Sequence, residues 1–294
     1  MSPNDFLIWN PDVFAVGQTK WNVDPFNDWM SHNYLDEHRA FDTNTPLARL
    51  WNDVSREDSI ERMIEFGGRH CYRAWEQGRD RADYIANIIE MGHGSVLEHA
   101  TINWAIQGVS RSLSLELARH RVGIALSQES QRYVDAKDVQ FVVPPMLIWL
   151  QGGCIGKKPF SVDFHNQCLK SLDFHNQCLK SLEQYTKLQQ RIVDSIKIKS
   201  PHTKSLTMIK KRANEAARAH LPNACETRFL WTTNMRLLRH FLWLRGGSGA
   251  DLEIRRLAVE LLHQAQHIAP SVFNDMTTQS IDDGYGVPII VAAA

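Results

Sequence analysis

The sequence predicts an α+β fold whose C-terminal half is largely helical. Two observations support this prediction: apolar and polar residues alternate near residue 100, and the C-terminal third has the apolar spacing of long helices. The 294 residues are enough to bury a substantial core. We predict a single domain over residues 1–294, with a less regular N-terminal part at 1–58 and a variable segment at 145–204.

The first 55 residues indicate one early strand and show little sign of long helices. They contain four tryptophans among prolines and short apolar stretches, and the strand is expected near Val13–Val16. The apolar spacing then predicts helices over Ser59–Trp75 and Arg81–Met91, the second of which is ended by Gly92.

The central part contains a second strand followed by a helix. From Ala100 to Val109 the apolar period falls to two, which is typical of a strand with one buried face. Ser110 or Ser112 is a suitable N-cap for a helix that runs to about Arg121. The remaining predicted helices are Leu206–His220, Glu226–Arg245 and Ser248–Ile268, the last with Ser248 as its N-cap.

The segment from Pro144 to Pro201 is the least regular and contains a direct repeat. The ten residues DFHNQCLKSL occur at Asp163–Leu172 and again at Asp173–Leu182. Because ten residues are not a whole number of helical turns, the second copy on a continuous helix would be rotated by roughly 80°. We interpret the repeat as a duplication tolerated in a surface helix and assign no chemistry to it.

Composition excludes several classes of protein. Lys+Arg and Asp+Glu both total 33, so the chain lacks the basic charge of a general nucleic-acid binder. No apolar run approaches the roughly 20 residues of a membrane span, and the N-terminus lacks a signal-peptide pattern. The five cysteines contain no C-x-x-C pair, as is typical of free thiols in a reducing compartment. We expect a cytoplasmic protein that binds neither a nucleic-acid polymer nor a membrane.

A concentration of cationic side chains in Leu117–Tyr133, LARHRVGIALSQESQRY, predicts a bound anion. An isolated R-H-R is more often a solvated helix end, where cations offset the helix dipole. Here Gln128, Ser130 and Arg132 follow and supply amide, hydroxyl and guanidinium donors suited to a phosphate or a pyrimidine edge.

Two other patterns do not support catalytic or metal sites. No local His or Asp spacing makes Ser130 a triad nucleophile, so we interpret it as a hydrogen-bonding residue. His263 and His267 have i, i+4 spacing but lack the internal Glu of H-E-x-x-H, and we predict no metal site.

Several motifs resemble those of the flavin-dependent thymidylate synthases and occur in the same order. RHR followed by a short spacer and S-x-R resembles the family's signature, and the resemblance runs from about Ser59 to Met276 with the duplicated middle excepted. The other matching motifs are FGGRHCYRAW (66–75), GHGSVLEHA (92–100), LPNACETR (221–228) and NMRLLRHFLWLR (234–245) followed by ADLEIRRLA.

The resemblance implies a fold, an assembly and a reaction. It implies an antiparallel sheet packed with helices, and a homotetramer whose sites are shared between subunits. The implied reaction is the reductive methylation of dUMP to dTMP, with methylenetetrahydrofolate as carbon donor and NADPH-reduced FAD as hydride source. In such enzymes the flavin carries the electron chemistry and the protein supplies orientation and electrostatics.

The resemblance also assigns site residues. Arg245 corresponds to the arginine against the uracil ring, where a guanidinium stabilises developing negative charge, and is the expected catalytic residue. The expected dUMP-binding residues are Glu116, Arg119, Gln128, Glu129, Ser130, Gln131, Arg132, Arg218 and Arg245. The expected FAD-binding residues are His93, Ser95, Arg119, His120, Arg121, Gln128, Asn234, Met235, Arg236 and His240.

Two departures from the family pattern leave alternatives open. Eight residues, Val122–Glu129, separate RHR from Ser130, whereas the family usually has seven, so one residue must bulge out. Gly249 stands where many members carry a histidine near the cofactor. The alternatives are a catalytically silent flavin- or nucleotide-binding protein and, ranked lower, an RNA- or DNA-binding module that uses the RHR segment.

Overall fold

A four-stranded antiparallel sheet forms the centre of the computed structural model and confirms the predicted α+β class. The strand order is β2-β3-β6-β4, so the two longest strands lie in the middle. The structure describes residues 6–34, 45–46, 48, 50, 59–75, 78–150, 173–200, 202, 205–281, 283 and 285–293.

The described elements are as follows. The strands are β1 (Leu7–Ile8), β2 (Asp12–Gln18), β3 (Thr101–Ser110), β4 (Ile124–Gln128), β5 (Phe141–Val142), β6 (Glu226–Asn234), β7 (Met276–Gln279) and β8 (Ile289–Ala292). The α-helices are α1 (Val23–Tyr34), α2 (Ser59–Tyr72), α3 (Arg81–Glu90), α4 (Arg111–Leu117), α5 (Pro145–Leu150), α6 (Phe174–Lys199), α7 (Leu206–Ala217), α8 (Met235–Arg245), α9 (Leu252–Ile268) and α10 (Pro270–Phe273).

One face of the sheet is buried under the C-terminal helices. Trp104 of β3 lies opposite Trp231 of β6, and both side chains are completely buried in the main core. The indole Nε1 of Trp104 donates a hydrogen bond to Thr233 Oγ1 at 3.1 Å. The same core contains Phe241 of α8 and Leu257 of α9. The alternating pattern predicted for this strand is therefore confirmed.

Several predicted elements agree with the structure. β2 covers the early strand predicted near Val13, and α2 and α3 begin at the predicted residues. Gly92 follows α3 with a φ of 70°, as a helix-ending glycine requires. The predicted Leu206–His220 helix is α7 continued by a short 3-10 turn at Arg218–His220.

The predicted single helix Glu226–Arg245 is wrong in its first half, which forms β6. Alternate residues from Thr227 to Thr233 are buried, which is a period of two, and β-branched and aromatic side chains fill these positions. The helical periodicity begins only at Met235, after Asn234 caps the helix by accepting from Leu237 N at 2.8 Å.

Two helices, α1 and α5, were missed in regions interpreted as irregular, and α6 is longer than the surface helix expected around the repeat. α1 lies within the N-terminal part, where Met30 contributes a completely buried side chain. α6, the longest helix described, occupies part of the variable segment and anchors it through the buried Cys178 and Tyr185. The second copy of the repeat supplies Asp173 and the start of α6, while the first copy lies outside the described residues.

The predicted end of one helix and the predicted start of another require correction. α4 begins at the predicted N-cap Ser110 but ends at Leu117, so the RHR residues lie in the turn after the helix. α9 begins at Leu252 with Asp251 as its N-cap, because the Asp251 carboxylate accepts from Glu253 N at 2.8 Å, and Ser248 remains in the connecting loop. Over the described ranges, no helix combines the length and apolarity needed to cross a membrane.

Candidate functional site

Arg245, at the last residue of α8, lies at the centre of a partly buried polar cluster. Its Nη1 lies 3.2 Å from Glu116 Oε2, and its Nε donates to His120 Nε2 at 3.2 Å. The His120 ring also lies 6.5 Å from the His240 ring, measured between centroids. The structure therefore brings together four of the predicted residues from α4, the RHR turn and α8. We call these four residues, Glu116, His120, His240 and Arg245, the Arg245 cluster.

The protonation states in the Arg245 cluster follow from its geometry. Burial lowers the pKa of His120, and electrostatic interaction with Arg245 and His240 lowers it further. Since Arg245 can only donate, the Nε2 of His120 acts as the acceptor and the imidazole is neutral. Burial raises the pKa of Glu116, and the nearby Asp251 carboxylate raises it further despite the opposing Arg245. Arg245 is thus oriented by two acceptors, of which one carries no charge.

The segment after RHR shows how an eight-residue spacer is accommodated. Val122 is 82% exposed and Gly123 has a φ of 75°, so the chain turns outward before entering β4. A Cβ on Gly123 would lie 2.4 Å from Asn234 Nδ2. The turn therefore requires glycine, and it places Gly123 against Asn234, the N-cap of α8.

A second group of predicted residues surrounds the start of α8. Arg236 pairs with Glu98 at 2.5 Å, and Arg236 also lies against Gly94. The His93 ring stacks on Tyr72 at 6.3 Å between centroids. Glu98 and Tyr72 were not predicted individually, although both lie inside the motifs that carry the resemblance.

The remaining cofactor candidates differ in accessibility. Ser95, Arg119 and Arg121 are exposed. Met235 is completely buried in the main core, so its side chain belongs to the core. The cofactor contact expected for Met235 is left to its main chain and stays a prediction.

The loop after β4 contains a third group. Gln128 Nε2 donates to Ser114 Oγ at 3.0 Å and to Thr227 Oγ1 at 2.8 Å, which fixes the end of β4. Ser130 Oγ accepts from Arg132 N at 3.3 Å. Ser130 is therefore a hydrogen-bonding residue of the turn, as predicted.

Arg132 is held by a carboxylate of α7. Its Nη2 lies 2.7 Å from Glu215 Oε1, while Arg212 contacts the other carboxylate oxygen at 2.9 Å. The hydrogen bond from Arg132 is the main reason why the pKa of Glu215 is lowered. We call Arg132, Glu215 and Arg212 the Arg132 cluster.

A polar cavity of about 490 Å³ lies beside this loop. Glu129 and Gln131 line it together with Arg111 from the start of α4 and Arg228 from β6. The buried Gln131 Nε2 has no hydrogen-bond partner within the described part of the chain. The carboxylates Glu129, Asp135, Asp138 and Glu226 also line the cavity, so it is the unpartnered Gln131 amide that favours a ligand with an acceptor oxygen. Arg111 was missed because nothing in its local sequence distinguishes it.

The structure does not bring all predicted residues together within one chain. No hydrogen bond or ion pair among the described residues joins the Arg245 cluster to the Arg132 cluster. Arg218 is exposed, and no side-chain contact connects it to either cluster in the described ranges. The predicted sites therefore form separate groups on the single chain.

Comparison with known proteins identifies similar sequences. The sequence profile described as thymidylate synthase complementing protein matches residues 54–271. The flavin-dependent thymidylate synthase of Mycolicibacterium vanbaalenii is 39% identical over 226 residues, covering 76% of this chain and 82% of that protein. The flavin-dependent thymidylate synthase of Mycobacterium marinum is 38% identical over 234 residues, covering 77% and 84%.

Proposed function

Since the chain belongs to the flavin-dependent thymidylate synthase family, we propose that its polar clusters carry out that family's reaction. The reaction converts dUMP to dTMP, taking a one-carbon unit from methylenetetrahydrofolate and a hydride from FAD that NADPH has reduced. The observation that carries the proposal is the Arg245 cluster, in which a partly buried guanidinium is oriented by Glu116 and by a neutral His120.

Arg245 is the catalytic residue in this proposal. Placed against the uracil ring, a partly desolvated guanidinium stabilises negative charge as it develops on the pyrimidine. Its orientation is fixed before the substrate arrives, since Glu116 and His120 hold two different guanidinium nitrogens. Glu116 and the nearby, exposed Arg119 also contact the nucleotide in this proposal.

The loop Gln128–Arg132 binds the nucleotide phosphate in this proposal. Arg132 retains guanidinium donors beyond those facing Glu215, and bidentate arginine geometry suits a phosphate. Arg111 and the unpartnered amide of Gln131 supply further donors from the adjoining cavity. We add Arg111 to the dUMP-binding residues, and retain Arg218 as a residue contributed from a neighbouring subunit.

The flavin fits the group around the start of α8. Arg119, Arg121 and Arg236 are exposed cations suited to a diphosphate, and the stacked Tyr72 and His93 offer flat rings to a planar ligand. The remaining proposed FAD-binding residues are Ser95, His120, Gln128, Asn234, Met235 through its main chain, and His240. FAD supplies the hydride, and these side chains bind and orient it.

A homotetramer with shared sites accounts for the separation of the clusters. The sheet face turned away from the helices carries a row in which Phe14, Ala105 and Leu230 lie side by side. Phe14 is 53% exposed and Leu230 is 43% exposed. Adjacent exposed apolar side chains of this kind are typical of an interface. Light scattering of the purified protein tests the tetramer directly.

The proposal is tested with purified protein, FAD and labelled substrate. We expect flavin absorbance, anaerobic bleaching by NADPH, and release of tritium from C5-labelled dUMP when methylenetetrahydrofolate is present. Bleaching without tritium release would contradict the synthase activity and support a catalytically silent flavoprotein instead.

A further inference from the structure

An aromatic groove lies between α1 and α2, away from the Arg245 and Arg132 clusters. It encloses about 380 Å³, which is within the range of small-molecule sites. Its lining includes Lys20, Trp21, Asn22, Trp29, Phe66 and His70. We call these residues the aromatic groove.

The rings of the groove present both faces and edges to its interior. Trp29 and Phe66 meet edge to face at 5.2 Å between centroids, with an interplanar angle of 89°. His70 stacks on Phe66 at 5.7 Å and meets Trp29 edge to face at 5.5 Å. Trp29 and Phe66 are only half-buried, and His70 is exposed. Partly open rings in such an arrangement suit a planar aromatic ligand.

Trp21, one of the residues that line the groove, contains a buried donor with no acceptor in the part of the chain that the structure describes. Trp21 is only 4% exposed, yet its indole Nε1 has no hydrogen-bond partner in the described residues. Buried tryptophan N–H groups usually find a partner. The missing acceptor is consistent with a ligand that brings a ring nitrogen or a carbonyl oxygen.

The ionisable side chains that line the groove are both basic. Lys20 and His70 are exposed at its mouth, and no aspartate or glutamate is among its described lining residues. The chain as a whole carries no net charge, so this bias is local. A ligand with an anionic group attached to its aromatic ring fits this lining.

The groove is connected to the proposed flavin region through α2. Phe66 and His70 lie on this helix, and Tyr72 at its end stacks on His93. A ligand long enough to reach from the groove past Tyr72 would approach the flavin. A co-substrate that carries a ring and an anionic group at one end and its reactive part at the other satisfies this geometry.

We propose that the aromatic groove binds the aromatic anionic end of a co-substrate. The inference rests on the proposed function, whose two co-substrates of this chemistry are NADPH, through its adenosine phosphate, and the reduced folate, through its benzoylglutamate tail. Both carry an aromatic ring and anionic groups away from their reactive part, so the experiment must distinguish them.

Two substitutions test the groove without altering the core. Asn22→Trp fills the groove from an exposed position, and Lys20→Glu reverses the charge at its mouth. The matched controls are Asp28→Trp, which adds the same bulk elsewhere on α1, and Lys199→Glu, which reverses an exposed charge on α6. Binding of NADP⁺ and of folic acid is measured by calorimetry on protein saturated with FAD and dUMP, so that those sites are occupied.

We expect Asn22→Trp to abolish binding of one ligand and Lys20→Glu to weaken it up to about fivefold, as for an exposed ion pair. The controls should bind both ligands like the original chain. Loss confined to NADP⁺ assigns the groove to the dinucleotide, and loss confined to folic acid assigns it to the folate. Unchanged affinity for both ligands in Asn22→Trp would overturn the proposal. If the original chain binds a ligand in the groove but forms no dTMP, the proposed function fails while the groove assignment stands.

Discussion

Two arginines of the candidate site are held by carboxylates in opposite ways. The Arg245 side chain is 21% exposed, and burial raises the pKa of its partner Glu116. The Arg132 side chain is 42% exposed, and hydrogen bonding lowers the pKa of its partner Glu215. The Glu116 carboxylate is therefore poorly stabilised as an anion, whereas the Glu215 carboxylate is well stabilised. In the proposed function, Arg245 acts on charge that develops during the reaction and Arg132 on a charge that is already present.

The largest expected effect is that of replacing Arg245, which we propose stabilises charge during the reaction. Replacing Arg245 with alanine removes the guanidinium that stabilises the developing charge, so kcat should fall about 100- to 1,000-fold. FAD should stay bound, because most of its proposed ligands, including Ser95, Asn234 and Arg236, lie outside the Arg245 cluster. Turnover and flavin absorbance are measured on the same preparation. Near-normal turnover would refute the catalytic role.

Arg132→Ala tests the proposed binding of the dUMP phosphate by Arg132. Losing a charged hydrogen-bond donor to the phosphate corresponds to ~1.5–3 kcal/mol, so the KM for dUMP should rise about 10- to 100-fold with a smaller change in kcat. Steady-state kinetics with varied dUMP measure both constants. If kcat fell as much as in Arg245→Ala while KM stayed constant, the distinction between the two arginines would be wrong.

Gly123→Ala tests the turn that connects RHR to β4 beside α8. The left-handed backbone alone costs an alanine about 1–2 kcal/mol, and its Cβ would lie 2.4 Å from Asn234 Nδ2. We expect a lower free energy of unfolding and weaker flavin retention, with dUMP binding at Arg132 less affected. Gly249→Ala is the matched control, because a Cβ there meets nothing within 4 Å. Equal effects of the two substitutions would contradict the account of the turn.

The two clusters should also lose stability in different pH ranges. The pKa of His120 in the folded protein is below its ordinary value of 6.5, so the unfolded chain takes up the proton first as the pH falls. The free energy of unfolding therefore falls as the pH drops below about 6.5. The pKa of Glu215 is lowered from 4.5, so its contribution is present above pH 4.5 and lost as the pH falls further.

Denaturant unfolding at a series of pH values checks this smallest effect. His120→Gln should flatten the dependence just below pH 6.5, while Glu215→Gln should flatten it only below about pH 4.5. A steeper dependence near pH 6.5 in His120→Gln would show that the imidazole is not kept neutral by its surroundings.

The sequence predicted elements whose signal is local and missed those that depend on distant partners. The alternation in β3 and the N-cap at Ser110 are readable from neighbouring residues. The strand β6 has a similar alternation, but it runs without a break into the helical pattern of α8, and only pairing with β3 and β4 fixes it as a strand.

The same limit applies to the site. The motifs predicted Arg245 and Glu116, yet their direct pairing depends on the packing of α8 beside α4. Glu215 and Arg111 have no distinctive local sequence and come into the site only through the fold. Met235 shows the reverse case, because a motif position expected to face the cofactor is turned into the core by the helix that begins there.

A structure of the protein with FAD and dUMP bound tests the central claim most directly. We predict Arg245 against the uracil ring and Arg132 on the phosphate of one nucleotide, with the two arginines contributed by different subunits. A nucleotide whose uracil ring makes no contact with Arg245, or whose phosphate lies away from Arg132, would contradict the account.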